Sequence, residues 1–240
     1  MIDEGYIKYR CEWIKKAAIA PPMIAELSPY RDALHRLNLI GEYSNGIGFG
    51  NISQRLPQTA GGASLRQTGT PPPQFIVSGT RTGQLETLTA ADYALVVDFD
   101  ADQNRLTCEG LTQASSESLT HGVIYAHQLS VGAVIHVHDL RMWQQLINQV
   151  PTTAATIPYG TPEMAAETRR LFYESDLSRQ KIFAMAGHEA GIVTFGDSLQ
   201  TAYRVLIKWA AMTSIMTHPD SESALQLPYQ LASPTVGYPA

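Results

Sequence analysis

Cysteine is scarce in this chain. There are two in 240 residues, Cys11 and Cys108, far apart and in no motif. That excludes a disulfide framework and suits a reducing compartment. Clustered basic charge is missing too: 17 Lys and Arg against 22 Asp and Glu give a formal net charge of −5, and no segment gathers the cations. A nucleic-acid partner is therefore not expected. No stretch approaches the roughly 18 consecutive apolar residues of a membrane span. The N-terminal "MIDEGYIKYRCEWIKKAA" is charged throughout and lacks the apolar centre of a signal peptide. A cytoplasmic protein without a membrane partner is the expectation. Internal repeats are also absent, and one low-complexity stretch interrupts an ordinary composition of 44% hydrophobic and 16% charged residues.

Strand and helix patterns interleave along the rest. Ser28-Pro29 reads as an N-cap followed by proline, opening a helix to about Leu39. "SNGIGFGNISQRL" reads as a turn feeding a strand, and "PQTAGGASLRQTGTPPP" (57–73) as an exposed loop before "QFIVSGT" resumes a strand. "YALVVDFD" (93–100) is a strand with "NRLTCEG" as its partner, and Ser115-Ser116 opens a helix to about Gln128. "VGAVIHVHD" is the next strand, followed by helices over 140–149 and 161–174. Strands near 182–185 and 191–195 precede a helix from Ser198 to about Met216. This order predicts an α/β protein: one domain over 1–218 and a Pro/Ser-rich tail over 219–240.

Chemistry concentrates in a few places. In "AVIHVHD" (133–139), His136 and His138 are two residues apart on a strand. They project on one side with Val134, while Ile135 and Val137 face the other. Two imidazoles so placed can share a metal ion, or they can be two satisfied core histidines; the pair alone leaves both readings open. Five of the seven histidines lie between 121 and 188, and His188 sits in a Gly-flanked turn, "AGHEAG". A third nitrogen from that turn leaves one position of a tetrahedral zinc open, as catalytic sites do. His121 and His127 read as helix packing, and His35 and His218 as surface or packing residues. Ser115 and Ser116 either cap a helix or help bind an anion at its start. Glu117 either favours the helix dipole or moves a proton. The "GFGNIS" and "VSGTRTG" turns are unspecific by themselves, and Arg81 in the second is either a grip for a carboxylate or phosphate or an exposed loop charge.

Taken together, "GNIS" (50–53), "FIVSGTRTGQL" (75–85), "DYALVVD" (92–98), "SSESLTHGVIYAH" (115–127), "VGAVIHVH" (131–138), "IPYGTPEMA" (157–165) and "GHEAGIVTFGDSLQTA" (187–202) resemble the class II aldolase/adducin family. Its members include L-fuculose-phosphate aldolase, a sugar-phosphate epimerase, a dehydratase and non-enzymatic adducin head domains. The resemblance implies a three-layer α/β/α fold with a central, largely antiparallel sheet. It implies that His136, His138 and His188 hold zinc or another divalent metal. Gly50, Asn51, Ser78, Gly79, Ser115 and Ser116 would line a substrate-phosphate site, and Glu117 would be the catalytic acid/base.

The resemblance implies, as activity, a metal-dependent lyase. It would cleave or form a carbon–carbon bond in a small sugar or sugar phosphate through a metal-bound enediolate, with Glu117 carrying the proton. A homotetramer with sites at subunit interfaces is also implied, with Tyr229 or Tyr238 as a proton donor from a neighbouring subunit. The alternatives are an epimerase or dehydratase of the same family, or an adducin-like interaction domain. One departure stands out: many members read Asn-His-Gly at the third ligand, whereas this chain reads Gly-His-Glu-Ala-Gly, which brings Glu189 near the site.

Overall fold

A computed structural model describes residues 6–57 and 72–213. His218, Tyr229, Tyr238, the 219–240 tail, most of the 57–73 loop and the last turn expected of the final helix lie outside the described residues. The chain opens with β1 (Arg10–Lys15), α1 (Pro21–Ile24) and α2 (Leu27–Arg36). A small hairpin, β2 (Gly41–Glu42) and β3 (Gly48–Phe49), leads into β4 (Asn51–Arg55), β5 (Phe75–Ser78), β6 (Tyr93–Asp100) and β7 (Arg105–Gly110). Next come α3 (Ser118–His127), β8 (Ala133–His138), α4 (Leu140–Leu146), α5 (Pro162–Glu174) and α6 (Leu177–Gln180). The described chain closes with β9 (Ile182–Ala184), β10 (Gly191–Gly196) and α7 (Leu199–Met212).

Eight strands form one sheet in the order β1-β7-β6-β5-β4-β8-β10-β9. Every pairing is antiparallel except β1 with β7. The period-2 alternation of the central strands separates two apolar layers. Ile52, Ile76, Ile135, Val137 and Ile192 pack on one face with residues of α2, α4 and α7. Phe75, Val77, Val134, Val193 and Phe195 pack on the other with residues of α3, α5 and α6. The result is the expected α/β/α sandwich, and His136 and His138 fall on the α3 side with Val134. Each fully buried Phe or Ile contributes roughly 1.5–3 kcal/mol, so the two layers hold the sheet rigid beneath the site.

Local signals place most helix starts. Asp139, Thr161 and Ser198 each accept a hydrogen bond from a backbone amide three residues on, capping α4, α5 and α7. Two expected starts differ. Ser28 lies inside α2, whose N-cap position is Glu26, and its hydroxyl meets the Tyr93 hydroxyl at 3.1 Å instead. Ser115 and Ser116 precede α3, which starts at Ser118 with Glu117 in the cap position. The helix after β8 ends at Leu146 rather than near 149. β1, where half-buried Cys11 and Trp13 alternate with exposed Arg10 and Glu12, is added as a parallel edge strand, and it brings Cys11 and Cys108 together as free thiols, Sγ to Sγ 3.7 Å. Among the described residues no helix is long and apolar enough to cross a membrane.

Candidate metal centre and active-site cleft

β8 runs between β4 and β10, so His136 is opposite Asn51 on one side and Val193 on the other, while His138 is opposite Gly191. The turn from β9 to β10 swings His188 over the same end of the sheet. That turn is closed by His188 N–H donating to Met185 O (3.1 Å) and Gly191 N–H donating to His188 O (2.9 Å). Gly191 is glycine for a packing reason: a Cβ there would come within 2.6 Å of the His188 ring. Tyr159 stacks edge-on against that ring at 4.5 Å, and the Lys8 ammonium caps Tyr159 at 3.9 Å.

The three imidazoles meet through their Nε2 atoms. His138 Nε2 is 3.1 Å from His136 Nε2 and 2.8 Å from His188 Nε2. All three residues are at least 96% buried. Burial, and then the neighbouring imidazoles, push the His136 and His138 pKa values well below the ordinary histidine range, which keeps them neutral. Neutral imidazoles with converging lone pairs are the form a divalent cation needs. Tetrahedral zinc with bonds of about 2.0–2.1 Å sets its ligand nitrogens roughly 3.3 Å apart, so the donor set fits such an ion. Among the described residues this is the one such group, and it does not include Glu189, which is exposed while His188 beside it is buried. The outer nitrogens are engaged as well: His138 Nδ1 lies 2.8 Å from the Tyr43 hydroxyl, and His136 Nδ1 lies 3.2 Å from the Asn51 amide.

Next to this centre is a narrow polar cleft. Gly50, Asn51, Gly79, Ser115, Ser116, Glu117 and His136 all line it. Gly50 has φ +73°, and a Cβ there would press on Ile40 and on the Leu39 and His136 carbonyls. Ser78 does not line the cleft; its hydroxyl accepts from the Ile52 amide at 3.2 Å, between β4 and β5. Glu117 is 1% exposed, and its Oε2 accepts from the Thr120 hydroxyl at 2.9 Å. The Tyr9 hydroxyl donates to Ala114 O (2.8 Å) and Ser115 O (3.0 Å), fixing the turn that carries both serines. A cavity of about 350 Å³ shares Gly48 and Arg81 with the cleft and is also lined by Glu42 and Gln84.

Several participants carried no sequence signal. Tyr43 sits in an irregular hairpin. Arg31 looks like an exposed helix residue, yet it is fully buried. Its guanidinium donates to the carbonyls of Thr82, Gly83, Leu85 and Glu86, clamping the loop after β5 that forms one wall of the cleft. His121 is a core residue, as its helix position implied: it is fully buried, meets the Ser53 hydroxyl at 2.7 Å, and has its pKa lowered by burial to about 3. His127 stacks on Phe172 at 4.3 Å.

The fold and donor set define an α/β/α protein with a buried three-histidine site suited to a divalent cation. The chain belongs to the class II aldolase and adducin N-terminal domain family, which it matches over residues 45–216. No curated protein matches the sequence. Solved structures share the fold at low identity. An L-fuculose 1-phosphate aldolase has 16% identity and TM-score 0.55, with 90% of this chain and 99% of that one covered. A sugar-phosphate aldolase from Thermotoga maritima has 18% identity and TM-score 0.52, covering 85% and 95%. YgbL from Escherichia coli, a candidate aldolase/epimerase/decarboxylase, has 15% identity and TM-score 0.55, covering 82% and 88%.

Proposed function

We propose that this protein is a metal-dependent lyase of the aldolase type, acting on a small sugar or sugar phosphate. The observation that carries the reading is the opening of His136 and the buried Glu117 onto one cleft, with His138 and His188 completing the donor set. A divalent cation held by His136, His138 and His188 would polarise carbonyl and hydroxyl oxygens and offset the negative charge left when a carbon–carbon bond breaks. Glu117, at the cleft wall, takes the proton from the carbon next to the carbonyl and returns it; Thr120 holds the carboxylate for that transfer. Gly50, Asn51, Gly79, Ser115 and Ser116 supply small side chains, amides and hydroxyls for a substrate phosphate, with Ser78 bracing β4 against β5 behind them. The adjoining cavity gives the rest of the substrate room beside Arg81.

That fold neighbours include two named sugar-phosphate aldolases supports this choice within the family. A homotetramer in the cytoplasm completes the reading. The test is metal analysis of the purified protein, then a screen of phosphorylated and unphosphorylated ketoses for aldehyde release. Metal at one equivalent with aldehyde release supports the proposal. Stable metal with inversion or loss of water and no aldehyde points to an epimerase or dehydratase. No metal uptake after zinc is supplied points to a binding domain.

A further inference from the structure

Asn51 and His136 are direct partners across β4 and β8, and their side chains touch. The amide nitrogen lies 3.2 Å from His136 Nδ1, while the amide oxygen is buried without a hydrogen-bond partner. In that orientation Asn51 donates, so Nδ1 must accept and the ring proton must sit on Nε2. Yet His136 Nε2 is the atom that faces His138 Nε2 at 3.1 Å. A proton there blocks the lone pair that the metal reading requires. That conflict disappears when the amide is turned by 180°, which exchanges nitrogen and oxygen in place, and the buried group left without a partner becomes an N–H₂ that needs an acceptor. The oxygen then accepts from His136 Nδ1–H, and the lone pair of Nε2 points into the donor set. The two amide protons move to the place of the orphaned oxygen, in a residue that lines the cleft beside Ser115, Ser116 and Glu117. His138 shows the same outward arrangement, its Nδ1 2.8 Å from the Tyr43 hydroxyl, which can accept from it.

We infer that Asn51 is a positioning residue that links the two halves of the site: its oxygen fixes the ligating tautomer of His136 while its N–H₂ donates to an anionic group of the substrate. The inference rests on the proposed metal and anion sites, and adds that one amide serves both. Anion binding at the N–H₂ holds the amide in the orientation that the metal requires, and metal binding at Nε2 does the same for the anion. The coupling is therefore mutual. Asparagine suits both ends because it accepts and donates at once.

The two roles separate by substitution. Asn51→Asp keeps an oxygen for Nδ1–H but turns a negative charge towards the anion; Asn51→Leu removes both partners. Zinc affinity is measured by competition with a chromophoric chelator, and inorganic phosphate affinity by calorimetry on the zinc-loaded protein. Asn51→Asp should hold zinc within about threefold of the unsubstituted protein and lose phosphate binding at least tenfold. Asn51→Leu should lose zinc affinity by about 10–100-fold, the range for loss of a partner behind a ligand. Wild-type zinc affinity in Asn51→Leu, or wild-type phosphate affinity in Asn51→Asp, overturns the inference while leaving the metal site standing. Failure of the unsubstituted protein to bind zinc overturns the metal site as well. Nitrogen NMR on the zinc-loaded wild-type protein reads the tautomer even if a variant does not fold. A protonated Nδ1 on His136 is the expected result, and zinc on Nδ1 contradicts it.

Discussion

His188 Nε2 lies 2.8 Å from His138 Nε2, although fifty residues separate them in the chain. The contact joins the end of a central strand to a turn between two others, and the whole reading of function depends on it. Removing either imidazole breaks a three-ligand set. In His188→Ala, elemental analysis after zinc loading should show well under one tenth of an equivalent retained after dialysis. The same protein should keep the far-ultraviolet circular dichroism of the parent, since His188 sits on a turn rather than within the sheet. Full retention of zinc would remove His188 from the site.

Glu117→Gln keeps the size and the contact to Thr120 but cannot take up a proton. The variant should bind metal as the parent does. It should lose proton exchange with solvent at the carbon next to the carbonyl of the active ketose by about 10²–10⁴-fold, the usual contribution of a positioned acid/base group. Exchange at the parent rate would mean that another residue moves the proton.

His121 makes a pH prediction. Unfolded, it takes up a proton below about pH 6.5; folded and buried, it does so only near 3. Between those values the unfolded chain binds more protons. Stability is therefore complete above about pH 6.5 and falls as the pH is lowered towards 3, by up to about 1.4 kcal/mol per pH unit from this residue. In metal-free protein, urea unfolding at a series of pH values should show a shallower acid dependence for His121→Gln, which can still meet the Ser53 hydroxyl. Equal slopes would assign the acid sensitivity elsewhere.

Arg31→Met should act on the cleft wall without touching it. The substitution removes the donors to the Thr82, Gly83, Leu85 and Glu86 carbonyls. Hydrogen bonds from a charged group contribute about 1.5–3 kcal/mol each before coupling between them is counted. Amide hydrogen exchange should accelerate in residues 80–86 far more than in β8, and zinc affinity should hold. Uniform acceleration across the sheet would make Arg31 a general stability residue instead.

How much of this could be read from the sequence depends on the range of the signal. Period-2 alternation put His136 and His138 on one face, and Asp139, Thr161 and Ser198 marked helix starts, because these are local effects of backbone geometry. Ser28 and Ser115 carry the same kind of signal but were overruled by tertiary partners: Ser28 meets Tyr93, and the Ser115 carbonyl is held by Tyr9. β1 does alternate, with Cys11 and Trp13 half-buried between exposed Arg10 and Glu12, but a short edge strand in a charged segment carries a weak signal. Arg31 and Tyr43 were invisible, since the groups that tie them to the site, the Thr82 carbonyl and the His138 ring, lie 51 or more residues away. The His188 turn was recognisable as a likeness in motif, whereas its approach to His138 needed the fold.

X-ray absorption at the zinc edge of protein loaded with one equivalent tests the central claim most directly. Three imidazole nitrogens at about 2.0–2.1 Å and one further light-atom ligand are the predicted shell. Sulfur scattering at about 2.3 Å, as Cys11 and Cys108 would give, or an ion without imidazole neighbours, would contradict it.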